Sequence, residues 1–214
     1  MQIAKPSLRS RSCGPTLILL ACTCFIGASH AQLVCPQPLD SIISGQPEVW
    51  RINLNHIFCG EIVNANGGQA SGFHSRPLGV NPVNTQQRAV SCPPPPVQSN
   101  VRINLGVVSP VNNGMYSMTN FCITAPRNGG GPWQTRIKGG SSMWPDACTQ
   151  VQILASINHV RQNGGGWVNL LKSGPSSPAP NNANYCLRAD GTAFNVLLIK
   201  AAGAGRLIYN AYPQ

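Results

Sequence analysis

Acidic residues are what this sequence has least of. Its 214 residues include 5 Asp and Glu against 15 Lys and Arg, and charged residues of both signs make up only 9% of the chain. Carboxylates so few and so scattered leave little from which to build a glycosidase's acid pair or the acidic cluster of a metal nuclease. Other common arrangements are missing too. There is no His-x3-His or His-Glu-x2-His pattern for zinc, no Gly-x-Ser-x-Gly nucleophile turn and no Gly-x4-Gly-Lys phosphate loop. No apolar run approaches the roughly 18 residues of a transmembrane helix.

What is there begins with Lys5, Arg9 and Arg11, an apolar stretch from Leu17 to Ala28, and the small-residue sequence Ser29-His30-Ala31. That order reads as a Sec-type signal peptide over 1–31, cleaved after Ala31, and predicts a secreted or periplasmic protein. Residues 32–214 then carry a net charge of +7. Cations in excess point to a polyanionic partner such as nucleic acid, anionic lipid or acidic glycan. The low overall charge argues against disorder, and the length suits one domain with a core of its own. Cys35, Cys59, Cys92, Cys122, Cys148 and Cys186 are even in number, and no two stand as Cys-x2-Cys. In an oxidising compartment that favours disulfides over zinc, without choosing among connectivities.

The chain divides into a leader (32–49), an N-terminal half (50–91), a Pro-rich connector (92–99) and a C-terminal half (100–214). Val101 to Val108 and Met115 to Thr124 read as strands around a turn at Asn112-Asn113-Gly114. Thr149 and Gln152 make a capping box that opens a helix over about 150–162, with Ile153, Leu154, Ile157 and Val160 on one face. His159 falls on the opposite, solvent side of that helix. The tail reads as a three-stranded meander: Tyr185 to Ala189, a turn at Asp190-Gly191, Thr192 to Ile199, and then Arg206 to Tyr212. One prominent amphipathic helix beside antiparallel strands makes the fold class α+β.

Two of the few histidines lie close in sequence. His56 sits in Asn55-His56-Ile57-Phe58-Cys59-Gly60-Glu61 and His74 in Gly72-Phe73-His74-Ser75, with a Gly-rich turn between. A hairpin-like return would bring the two imidazoles to one site. Imidazole takes up and gives off protons near neutrality. A pair of them flanking a phosphodiester can remove the proton of a ribose 2′-hydroxyl and protonate the departing 5′-oxygen. The same histidines could equally be hydrogen-bonded parts of the framework.

These segments resemble the paired-histidine signature of the EndoU endoribonucleases in their bacterial form, relatives of the eukaryotic EndoU and coronavirus enzymes. The similarity continues through Asn113-Gly114-Met115-Tyr116, Lys138-x2-Ser141-Ser142-Met143-Trp144-Pro145-Asp146 and the closing Tyr209-Asn210-Ala211-Tyr212-Pro213. The resemblance implies a triad of His56 as general acid, His74 as general base and Lys138 as the cation that stabilises the phosphorane. It implies that Ser142 and Tyr212 meet the nucleobase, and that the product is a 2′,3′-cyclic phosphate. It implies an RNA substrate, single-stranded or in a loop, and no required cofactor, although manganese stimulates some members. The signal peptide, the six cysteines and the run of prolines depart from members that are toxin domains of large delivered proteins. A cognate immunity protein is the expected partner if this chain is a toxin. The rival reading is a non-enzymatic, disulfide-stapled module that binds acidic polymers through the same positive charge.

Overall fold

The computed structural model describes residues 33–64, 68–80, 82, 102–104, 107–110, 114–127 and 133–214. The signal segment, the Pro-rich connector with Cys92, and Asn112-Asn113 of the expected turn lie outside the described residues. In chain order the elements are β1 (Ser41–Ser44), β2 (Trp50–Ile52), α1 (Leu54–Phe58), β3 (Glu61–Val63), β4 (Gln69–Ser71), β5 (Arg102–Asn104), β6 (Val107–Pro110), β7 (Tyr116–Pro126), β8 (Trp133–Met143), α2 (Gln150–Asn163), β9 (Leu171–Pro175), β10 (Asn195–Lys200) and β11 (Leu207–Pro213).

A five-stranded sheet in the order β1-β2-β11-β10-β9 carries α2 on one face. The helix starts where the capping box sets it: the Thr149 hydroxyl accepts from the Gln152 amide, and the Thr149 N–H donates to Gln152 Oε1 at 2.8 Å. Ile153, Ile157 and Val160 turn inward onto Trp50, Ile52, Val196, Leu198 and Ile208, with Leu154 partly buried at the edge. Each such aliphatic side chain taken fully from water contributes about 1.5–3 kcal/mol. His159 does not stand free in solvent as its helical angle suggests. It is half-buried, with its ring edge-on to Tyr185 at 5.5 Å.

The second layer is built on the long β7–β8 hairpin, with β5 and β6 paired along the other edge of β7. The β3–β4 hairpin lies against it, and Ile62, Phe73, Met118, Phe121, Ile123 and Met143 fill the space between. The sequence offers little sign of the second half of β8, because Lys138-Gly139-Gly140-Ser141-Ser142 carries none of the branched or aromatic residues that mark strands, whereas Trp133, Thr135 and Ile137 alternate along its first half. Its pairing with β7 supplies what its propensity lacks.

The C-terminal meander forms, but its first strand is β9 rather than 185–189. A tight turn is present at Asp190-Gly191, with Arg188 N–H donating to Thr192 O at 2.9 Å. The preceding segment is drawn to α2 instead: Cys186 is bonded to Cys148, and its N–H donates to Ser156 Oγ at 2.9 Å. A backbone donor spent on a side chain is lost to a ladder. The N- and C-terminal halves are also interleaved, since β2 pairs in parallel with β11. Among the described residues no helix is long and apolar enough to cross a membrane.

Cysteine pairing follows the even count. Cys35 is bonded to Cys59 across 24 residues and Cys148 to Cys186 across 38, and Cys122 is disulfide-bonded as well. Loops of this size lower the entropy of the unfolded chain enough to stabilise by roughly 3–4 kcal/mol each. Replacing both cysteines of the Cys148–Cys186 pair with serine should therefore lower unfolding stability by about 2–4 kcal/mol in a urea titration. An unchanged midpoint would contradict this.

Candidate active site

Helix α1 is only five residues long and is fixed at both ends. Asn53 caps it, its side chain accepting from the His56 amide at 2.9 Å. Cys59 and Gly60 N–H both return to Asn55 O, at 3.0 and 2.8 Å, and Gly60 takes the left-handed conformation (φ +75°) that ends a helix. The chain before it is strapped down as well: Cys35 bonds to Cys59, and Gln37 N–H donates to Asn55 Oδ1 at 3.0 Å.

The two histidine segments meet through their backbones. Phe73 N–H donates to His56 O at 2.6 Å and His74 N–H to Ile57 O at 2.7 Å. This close approach needs Gly72. Its φ is +74°, and a Cβ there would lie 2.2 Å from the His56 carbonyl oxygen. The result is a pair of imidazoles with ring centroids 5.7 Å apart, both buried: His56 is 1% exposed and His74 6%.

Their surroundings differ in sign. His56 Nδ1 lies 2.5 Å from Glu61 Oε1, and the same oxygen accepts from the Tyr209 hydroxyl at 2.6 Å. Glu61 is 1% exposed. A carboxylate oxygen only accepts, so Nδ1 carries the proton and the lone pair of the neutral His56 ring is on Nε2. That atom is buried and has no hydrogen-bond partner among the described residues. His74 Nδ1 donates to Ser142 O at 3.0 Å and lies 2.9 Å from Ser141 Oγ. Its neutral form therefore also has its lone pair on Nε2.

Lys138 lies on β8 beside His74. Its ammonium donates to Gly72 O and, at 3.0 Å, to Ser141 Oγ, which in turn donates to Phe73 O at 2.7 Å. Burial draws the Lys138 pKa down to about 8. Burial also holds His74 well below the usual imidazole value, and the charges of Lys138 and His56 add to this. Burial lowers His56 too, but there the hydrogen bond and charge of Glu61 push back. Of the two rings, His56 has the environment that tolerates a proton.

His74, Lys138, Ser142 and Tyr212 line one pocket of about 470 Å³, joined by Ser117, Thr119 and Asn210. The Tyr212 ring is stacked on His74 at 5.2 Å between centroids. His56 is not among the residues that line this pocket, and its ring centroid lies 5.7 Å from that of His74. All five residues singled out from the sequence are thus brought together, and Ser142 touches His74 through its backbone carbonyl. The sequence reading gave no role to Glu61, Tyr209 or Ser141. Glu61 carried a usable signal, one of few acids standing five residues after His56; Tyr209 and Ser141 lay inside recognised segments without any sign of what they would touch.

A family model described as bacterial EndoU nuclease matches residues 51–214. No curated protein and no solved structure matches the chain.

The dependence of the histidine pair on Gly72 is open to test. Gly72→Ala should destabilise the protein by more than about 1 kcal/mol, since alanine is disfavoured at positive φ and the Cβ collides with backbone. It should also alter the His56 and His74 ring resonances in NMR spectra. Unshifted resonances would show that the approach of the two segments does not need glycine.

Proposed function

The chain belongs to the bacterial EndoU nuclease family, and we propose that it is a secreted or periplasmic endoribonuclease whose His56, His74 and Lys138 cleave RNA to 2′,3′-cyclic phosphate ends. The observation that carries this reading is the pair of buried imidazoles 5.7 Å apart in opposite electrostatic settings, one backed by Glu61 and the other by Lys138. Two titratable groups driven apart by their surroundings divide naturally into acid and base.

In the proposed reaction His74 Nε2 removes the proton of the 2′-hydroxyl. The 2′-oxygen attacks phosphorus, the bond from phosphorus to the 5′-oxygen breaks, and His56 Nε2 gives that oxygen its proton. The Lys138 ammonium stands beside His74, where negative charge builds on the phosphorane oxygens. A fixed cation in a site shielded from water stabilises such charge far more than one in bulk solvent. Glu61 acts through His56, holding the ring and supporting its charged form. Tyr212 offers a face for the nucleobase and Ser142 a hydroxyl, as single-stranded RNA is usually held. Manganese, which stimulates some members, finds no fitting donor set: among the described residues no three His, Cys, Asp or Glu side chains cluster, and Glu61 is turned to His56 and Tyr209. No step is assigned to it. A cognate immunity protein follows only if the enzyme is a toxin.

Incubation with RNA should yield fragments ending in 2′,3′-cyclic phosphate by mass spectrometry, and a 2′-deoxy nucleotide at the scissile position should block cleavage. Fragments with 3′-hydroxyl and 5′-phosphate ends would sink the mechanism, since those imply activated water. His56→Ala and His74→Ala should each lower the rate roughly 10²–10⁴-fold.

The pH profile supplies a separate check. Activity needs His74 neutral and His56 protonated, and both pKa values lie below the ordinary 6.5, His74 furthest. The kcat/KM profile, which reports the free enzyme, should therefore be bell-shaped with its maximum on the acid side of 6.5. Glu61→Gln removes the charge that supports protonated His56, so the descending limb should move to lower pH. A limb that stays in place would show that Glu61 does not act on the acid.

A further inference from the structure

Away from the histidine pair, on the α2 face of the five-stranded sheet, lies a second pocket of about 530 Å³ lined in part by Glu48, Trp50, Arg161, Trp167 and Lys172. Its floor is the buried Trp50, on which the half-buried Trp167 stacks with the ring planes 3° apart and centroids at 5.6 Å. Three cations gather on these rings: Arg161 at 5.5 Å and Lys200 at 6.0 Å over Trp50, and Lys172 at 5.8 Å over Trp167.

None of the three forms an ion pair with a carboxylate among the described residues. Glu48, the acid of this pocket, is held by Arg206 at 2.9 Å and by Trp50 Nε1 at 3.2 Å. Its charge tempers Arg161 at longer range, whereas Lys172 is lowered by burial and then by the Arg161 charge. Glu48 is shared with Arg206, so Arg161 and Lys172 leave the pocket an excess of positive charge that an anion would offset. Aromatic faces beside cations are what single-stranded nucleic acid binds, with bases on the rings and phosphates on the cations.

We propose that this pocket is a second RNA site, which holds a nucleotide outside the scissile position with its base against Trp167 and its phosphate at Arg161 and Lys172. The proposal rests on the endoribonuclease reading for the identity of the polymer. Trp50 and His56 are six residues apart, so their Cα atoms are separated by at most about 20 Å, and an RNA of several nucleotides can engage both sites.

The test compares Trp167→Ala and Arg161→Gln with the wild type. The binding probe is a labelled 2′-O-methyl RNA of about a dozen nucleotides, which no 2′-hydroxyl attack can cleave. Each variant should bind it roughly 5–100-fold more weakly, the range expected for loss of one stacked base or one phosphate contact. Arg161→Gln should also reduce the slope of log affinity against log salt by about 1. With cleavable substrates the variants should raise KM on a long RNA and leave the turnover of a dinucleotide unchanged. Unchanged affinity in both variants would overturn the proposal. So would an equal loss on dinucleotide and long RNA in both, since the pocket would then act through the fold. Should the wild type cleave neither substrate while both variants still weaken probe binding, the nuclease reading falls and the second site stands.

Discussion

Glu61 is one of 5 acids in the chain, and it lies wholly inside the protein, 1% exposed. Removing a carboxylate from water costs several kcal/mol unless charge and hydrogen bonds replace the lost solvent. Here the replacements come from separate elements: an imidazole on α1 and a phenol on β11 both reach the same oxygen. Burial and the hydrogen bond to Glu61 raise the Tyr209 pKa, so the phenol remains a donor. Its ring also lies 4.4 Å from that of His56. The need to satisfy one buried charge thus fixes the position of the helix, the last strand and the first histidine together.

His74 is held by a different logic, through backbone. Its own N–H is bound to the carbonyl of Ile57, its carbonyl accepts from Trp144 N–H at 2.8 Å, and its ring is anchored on Ser142 O. Trp144, fully buried, carries the connection onward, its indole N–H donating to Ala211 O at 3.2 Å beside Tyr212. One ring is therefore positioned by side-chain charge and the other by main-chain geometry. The Glu61 carboxylate supports a proton on the first ring, whereas burial and the Lys138 charge dispose the second to remain neutral.

Much of this was legible in the sequence, and the limits have physical causes. The capping box at Thr149 and the apolar face of α2 are local signals that tertiary structure had no reason to override. The histidine pair was legible as two segments joined by a Gly-rich turn, which a hairpin-like return could bring together, and through the family resemblance those segments carry. The second half of β8 was not visible, because Gly139, Gly140, Ser141 and Ser142 lack strand propensity and pair with β7. The misplaced first strand of the meander has a similar origin: the disulfide to Cys148 is a non-local constraint that no window around Cys186 reveals. Glu61 could be read as present but not as buried, since its partner Tyr209 lies 148 residues further on.

The parallel pairing of β2 with β11 has a consequence for the order of events at the ribosome. Every other element of the site, including α1, the His74 segment and β8, is synthesised before β11, yet β11 brings Tyr209 to Glu61 and Tyr212 to His74. Until that strand emerges, β2 lacks its inner neighbour and the Glu61 carboxylate lacks one of its hydrogen-bond donors. Domains complete their folding only when their non-local partners are available. A nascent chain therefore holds both histidines and the lysine before the strand that completes their pocket has been made.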